Sequence, residues 1–379
     1  MPFLIFLVLM GSVFVWYDPK SAVTMDALIV LGRGIGVASF WFLACLRMGS
    51  RLVGFFQREK PWDVCFVLGL GFWGLCSLFL IIVGCFHHIG VGILLVFFLV
   101  GGQSSERIRL TTGGWMCLGL AFCWGLIDAW APVIDVDAVY YHLALPKQMW
   151  LHGELLGGVF HPNGSRPLIL HLPYGMLFGW GGENAVSFFH LFIALTLLAS
   201  LLERGEKKGT FVGIWSVVLL LGTWSFIHKI GVVANNIPAG LACWLAYVLC
   251  REKKYMLAAG IAGIGLSIKF TALGILAGIW LFWIQGLRNR INVLLVVLCV
   301  VIIWPIRNIF EGVHPLFPYM GWEGDFPFQY LEKYGAGRDW ASMLMFAIPA
   351  EFAFAFCVVC LYSPRHAIGQ LETLGLQEG

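Results

Sequence analysis

Charge is what this chain has least of. Only 12% of its 379 residues are Asp, Glu, Lys or Arg, against roughly 25% in an ordinary soluble domain. Hydrophobic residues make up 60%, and mean hydropathy is +0.85. That balance excludes a water-soluble globular chain, and no nucleic-acid partner is expected. The formal net charge of +3 says little by itself. The alternating pattern of a membrane β-barrel strand is missing. So are a P-loop and an H-E-x-x-H helix. The N-terminal run "PFLIFLVLMGSVFVWY" lacks a basic leader and a clear small-residue cleavage site, so it reads as a retained first span. No disulfide framework is implied. The 11 cysteines lie within or at the edges of apolar runs, and "CVVC" at 357–360 reads as packing despite its redox spacing.

What the chain has instead is a series of long apolar runs. Each span needs about 20 mostly apolar residues, and backbone in lipid must bond to itself, so the runs are helices. The expected fold is an all-α polytopic membrane protein with about 12 spans: 2–17, 27–46, 63–84, 89–101, 114–132, 184–202, 210–230, 232–250, 255–269, 271–285, 291–306 and 342–362. Each even-numbered span is followed by a basic loop: "RMGSRLVGFFQREK", "SSERIR", "ERGEKKG", "REKK", "GLRNR" and "SPRH". By the positive-inside rule these loops and the N-terminus are cytoplasmic, and 133–183 lies outside.

That parity decides two ambiguous segments. Residues 166–182 are apolar enough to cross, but crossing would put "ERGEKKG" outside. The segment therefore reads as a helix in the outer interface or a shallow re-entrant one. Residues 255–285, as one helix, would run about 46 Å, longer than a core of roughly 30 Å. A hairpin of two short helices, breaking near Lys269, is expected.

Several motifs reduce to packing. "GLGFWG" at 69–74 has dinucleotide-fingerprint spacing, but it lies inside a span, where small residues let helices approach. His87 and His88 read as interfacial residues of a short outer loop. "NGS" at 163–165 is a glycosylation sequon whose meaning depends on the source.

The outer face carries the chemistry. Its centre is "DVDAVYYHLALPKQMWLHGEL" at 135–155, polar and helix-prone between two apolar regions. Asp135 and Asp137 follow the fifth span, and either can cap a helix. Pro146 suits a first turn and Gly153 a helix end. Leu143, Leu145, Met149 and Trp150 are expected to seat the segment on the headgroups, and Ala138 and Leu145 to face lipid. Lys269 and Arg307 lie on the same outer side, against the positive-inside bias. They read either as ligands for an anion such as a lipid phosphate or as residues that snorkel or pair with an acid such as Glu311. Asn235 and Asn236 begin the eighth span at the same face.

These residues resemble a family. D-x-x-x-Y followed by a glycine, here Asp137, Tyr141 and Gly153, is similar to the first outer loop of GT-C-fold glycosyltransferases. Relatives include protein mannosyltransferases, aminoarabinose transferases and lipopolysaccharide-core galacturonosyltransferases. "HPNGSRPLILHLPYGMLFGWGGENAVSFFHLF" resembles the family's interfacial helix and next span. "AAGIAGIGLSIKFTAL" resembles its G-L-A-x-x-x-K-Y-T run, at Lys269. "WPIRNIFEGVHPLFPY" resembles P-W-x-x-R-N-x-x-x-x-G-N-P-x-x-P, at Arg307.

The likeness covers about 114–320. It divides the chain into a membrane prefix (1–113), a GT-C-like core (114–320) and an outer loop, last span and tail (321–379). It implies an integral membrane enzyme, in the bacterial inner membrane with its site facing outward. The enzyme would move a sugar from a polyprenyl-phosphate donor to a lipid, glycan or protein acceptor. Asp137 would be the catalytic carboxylate with Asp135 beside it. Lys269 and Arg307 would hold the donor phosphate, with Tyr141, His142, Asn236 and His314 contacting substrate. His314 stands where Asn is common in the family, and Asn236 where an acid often is. No cofactor is implied, and a divalent-metal requirement is left open. A flippase or transporter, or a non-catalytic envelope scaffold, is the competing reading. A transporter predicts internal repeats, and none is visible.

Overall fold

A computed structural model describes residues 25–131, 133, 135, 137–155, 166–312, 314 and 315. The expected spans 2–17 and 342–362, "CVVC" and the sequon lie outside them. Among the described residues the chain is entirely helical, without strands, and five helices are long and apolar enough to cross a membrane. Spans 2 to 5 appear as α1 (Met25–Gly54), α2 (Trp62–Ile82), α3 (His88–Gly101) and α4 (Thr112–Trp130). A π-helical turn (Ala138–His142) and α5 (Ala144–His152) follow. After them come α6 (His171–Glu206), α7 (Thr210–Leu221), the single turn α8 (Trp224–Ile227), α9 (Asn236–Arg251) and α10 (Tyr255–Ile268). A 3₁₀ turn (Phe270–Ala272) leads to α11 (Leu273–Trp283), α12 (Leu287–Val301) and α13 (Ile303–Phe310).

Glycines set the closest approach. A Cβ on Gly49 of α1 would lie 1.6 Å from the Cys65 carbonyl oxygen of α2, and one on Gly69 would lie 1.9 Å from that of Cys45. The two backbones touch where "GLGFWG" begins. Beside this seam Trp41 and Trp73 stack at 4.0 Å. Dispersion between close surfaces, rather than expulsion of water, drives such association in an apolar medium.

The basic loops meet at one end of the bundle. Arg204 pairs with Asp63 at 2.9 Å and Glu252 at 3.2 Å, and Lys254 reaches Glu59 at 3.5 Å. Arg47 donates to the Leu99 and Gly102 carbonyls, and Glu206 accepts from the Thr111 N–H and hydroxyl. The Asp63 carboxylate is buried and also accepts from Ser200. Removing one partner of such a buried pair costs about 3–5 kcal/mol.

The chain breaks where the sequence suggested a hairpin. Lys269 is extended (φ −152°, ψ 117°) between α10 and α11. α11 then returns to the basic end, where Trp283 meets Tyr247 at 5.2 Å and the Arg251 guanidinium at 5.7 Å.

Three expectations are corrected. Residues 166–182 are not a helix lying on the outer surface, and of the two alternatives only the re-entrant one is compatible with their burial. Leu168 to Leu177 are buried, with the Ile169 carbonyl against Gly74 and Trp73 Nε1 donating to the Met176 sulfur at 3.1 Å. This arm joins the next helix through Gly182, whose φ of 72° is open to glycine at little cost. The expected span 210–230 is not one helix. α7 stops at Leu221, and 228–235 is irregular, with Gly231 pressed against Gly125 and Ala129 of α4, where any Cβ would clash. α5 does not ride on lipid. Leu143, Leu145 and Met149 are buried, and Trp150 lies on Gly179, Phe86 and His88, because the helix docks on the buried arm of α6. Ala138 is buried too, and Val139, Tyr140 and Leu151 are the large apolar side chains of this segment that are exposed.

Gly69→Ala should open the α1–α2 seam and cost about 3 kcal/mol as overpacking. Gly260→Ala meets only an ordinary contact at 3.7 Å and should gain about 0.5–1 kcal/mol from helix propensity. Thermal unfolding in detergent separates the two. On a cysteine-free background, Glu154→Cys should react with an impermeant maleimide from outside intact cells and Lys207→Cys only after permeabilisation. Labelling of both from one side would contradict the opposite-end topology.

Candidate functional site

The irregular segments gather at the end opposite the basic loops. Asp135 organises the first of them. Its carboxylate accepts from the Ala138 N–H at 3.1 Å, and its carbonyl accepts from the Val139 N–H at 2.9 Å. Its second carboxylate oxygen pairs with Lys229 from the irregular stretch after α8. Burial pushes the Asp135 carboxyl up. The Lys229 and Ala138 hydrogen bonds and the Lys229 charge outweigh that, and hold it below the ordinary value of 3.8. Asp135 is therefore the capping carboxylate. Asp137 has helical backbone angles, makes no cap bond, and is exposed without a side-chain partner among the described residues.

The turn is π-helical rather than α-helical, closed by the Leu143 N–H donating to the Ala138 carbonyl at 2.8 Å. Its wide winding sends His142 inward, only 2% exposed. There His142 Nδ1 lies 3.1 Å from His171 Nε2, the rings nearly parallel at 11°. Tyr141 stays half-buried over His142, under the Arg166 guanidinium at 5.7 Å. Burial, then the charges of His171, His190, Lys269 and Arg166, hold the His142 imidazole well below 6.5. A second relay passes from the Tyr174 hydroxyl to His190 Nδ1, and from His190 Nε2 to the Lys229 carbonyl, each at 3.1 Å.

Lys269 and Arg307 close the other side. The Lys269 ammonium donates to Asn236 Oδ1, so Asn236 orients Lys269 at the start of α9. Asn235 Nδ2 donates to the Ile268 carbonyl at 3.3 Å. Arg307 donates to Asn308 Oδ1 at 2.7 Å and to the Arg166 carbonyl at 3.2 Å, and it lies 3.6 Å from Glu311. The pairing with Glu311 weighed from sequence is thus present. His314 is exposed, beside Pro315, whose carbonyl accepts from Asn308.

Several polar atoms here are buried without a partner among the described residues: His171 Nδ1, Asn235 Oδ1, Ser267 Oγ and Arg307 Nη1. Each costs about 1–3 kcal/mol left so. They lie at the same end of the bundle as Lys229, Lys269, Arg166 and Arg307.

Reading the sequence missed Lys229, Arg166, His171, Tyr174 and His190. Lys229 had a signal, the same one that marked Lys269: a cation at the outer end of an apolar run. The histidines had none, because each lies in an apolar stretch where a buried structural imidazole is the usual explanation.

A depressed imidazole pKa means that stability is present above the unfolded value, about 6.5, and is lost as pH falls towards the folded value. The protein in detergent should therefore lose thermal stability between pH 7 and 5, and His142→Gln should blunt that slope. An unchanged slope would place the sensitivity elsewhere.

No family model, curated protein or solved structure matches this chain.

Proposed function

We propose that the chain is a GT-C-like glycosyltransferase. It transfers a sugar from a polyprenyl-phosphate donor to a lipid, glycan or protein acceptor at the outer face of the membrane. The observation that carries this reading is one juxtaposition. A carboxylate that is exposed and unbonded among the described residues, on an irregular turn, shares an end of the bundle with Lys269, Arg307, Arg166 and Lys229, amid buried polar atoms without partners among those residues. The ordered motifs around Asp137, Lys269 and Arg307 add the resemblance to it.

The division of labour follows from the bonds. Asp135 is committed to Lys229 and to the turn, so it positions. Asp137 has no such commitment, so it is the base. In the transfer, Asp137 takes the proton of the acceptor nucleophile as that atom bonds to the anomeric carbon. The bond from this carbon to the phosphate oxygen breaks, and its electron pair leaves with the phosphate. Lys269 and Arg307 stabilise the charge that grows there. The Nη1 amino group of Arg307 has no partner among the described residues. Lys269 is oriented by Asn236, which accepts from its ammonium. Tyr141 and His314 are assigned to the substrate on the resemblance alone, and His142, buried against His171, would act through that neighbour.

Mass spectrometry of the gently solubilised protein should detect a co-purifying lipid-linked sugar. Asp137→Asn should slow consumption of that donor by about 10²–10⁴-fold with little change in thermal stability. Asp135→Asn and Lys229→Met should instead lower stability first. Lys269→Ala or Arg307→Ala should weaken donor binding about 10- to 150-fold, the worth of one charge-assisted contact. Full turnover by Asp137→Asn would remove the catalytic assignment, and unchanged donor affinity in both cation variants would remove the phosphate site.

A further inference from the structure

The opposite end of the bundle carries a cavity of ≈ 430 Å³ where α1 ends. Its walls include Arg51, Phe55, Gln57, Arg58, Lys60 and Gln103. The cations are held from the protein side. Arg51 Nη1 donates to the Gly101 carbonyl at 2.6 Å, and the Lys60 ammonium bonds Gln103 Oε1. Arg58 is exposed and has no partner among the described residues. The nearby acids are engaged elsewhere. Glu59 faces Lys254 at 3.5 Å, Glu106 accepts from the Lys60 backbone N–H at 3.2 Å, and neither lines the cavity. Its positive charge is therefore not neutralised by the walls.

Two further observations give the ligand its character. Gln57 lines the cavity and its Nε2 is buried without an acceptor among the described residues, so turning that amide towards the cavity would let a ligand oxygen satisfy it. Phe55 and Phe56 are 76% and 61% exposed on the same loop. Cations beside exposed phenyl rings suit the boundary between headgroups and acyl chains. A positive-inside signal needs only charges, such as Arg107 or Lys207, which line no part of this cavity. A walled space with oriented donors goes beyond it.

The geometry points to a second site at this end, for a phosphate-bearing anion. Arg58 and Lys60 are its point contacts, the Gln57 amide a further donor, and the phenylalanines its apolar rim. It is independent of the reading of the aspartate end. The same chemistry serves the phosphate of an anionic lipid headgroup and a soluble phosphate.

Full-length protein in phosphatidylcholine nanodiscs is titrated with pyrophosphate by calorimetry. In parallel, native mass spectrometry counts phosphatidylglycerol retained from mixed micelles, with phosphatidylcholine as reference. Saturable retention of phosphatidylglycerol assigns the site to a lipid, and saturable pyrophosphate binding assigns it to a soluble anion. Arg58→Ala and Lys60→Ala should each weaken the bound probe about fivefold, the worth of one cation near an anionic surface. Arg58→Lys should retain most of the affinity, and Lys207→Ala, at the same end but outside the cavity, should retain all of it. Absence of saturable binding by either probe, or equal weakening by Arg58→Ala and Lys207→Ala in monodisperse protein, would overturn the site.

Discussion

Backbone polar groups in an apolar surrounding must find partners within the protein, and everything else in this structure follows from that constraint. It makes every described element helical. It also restricts where the helices can stop. The breaks at Gly182, at 222–235 and at Lys269 are tolerated because neighbouring helices bury them and because side chains supply the missing bonds. Asn235 bonds the carbonyl of Ile268 at the Lys269 break, and His190 bonds the carbonyl of Lys229. The polar residues at this end are thus partly the consequence of having interrupted the helices there.

That origin explains why structure and chemistry are interleaved in the candidate site. Lys229 neutralises Asp135 and also offers its carbonyl to His190. Arg166 covers Tyr141 with its guanidinium and holds Arg307 through its carbonyl. Among the described residues, Asp137 and the Nη1 amino group of Arg307 are left uncommitted. A ligand that binds there is met by groups already fixed in place, which reduces the cost of ordering them.

The two ends of the bundle solve opposite electrostatic problems. At the basic end, ion pairs tie loops together: Arg204 to Asp63 and Glu252, Lys254 to Glu59 and Glu252. Charges there are mostly satisfied, and the cavity beside Arg58 stands out for being lined with cations and no acids. At the other end Lys229 pairs with Asp135 and Arg307 lies beside Glu311, while the Arg166 guanidinium lies over Tyr141.

Much of this was determined by sequence alone. Hydropathy is a local quantity, so the helical class, most of the apolar helices and the alternation of basic loops could be read from composition along the chain. So could the break at Lys269, because an uninterrupted 255–285 helix would be too long, and the end of α5 at Gly153, whose φ of 67° suits glycine. Other features needed the tertiary structure. The D-x-x-x-Y spacing singles out Asp137, but nothing local shows that Asp135 is committed, which depends on Lys229 arriving from 94 residues away while Asp137 stays exposed. Nothing local says that 166–182 is buried rather than interfacial, since an apolar face serves lipid and protein equally, and the choice depended on α2 and α5 closing over it. The π turn that sends His142 to His171 was decided in the same way. Pairings between distant segments depend on geometry that residue order does not express, and the candidate site is made almost entirely of such pairings.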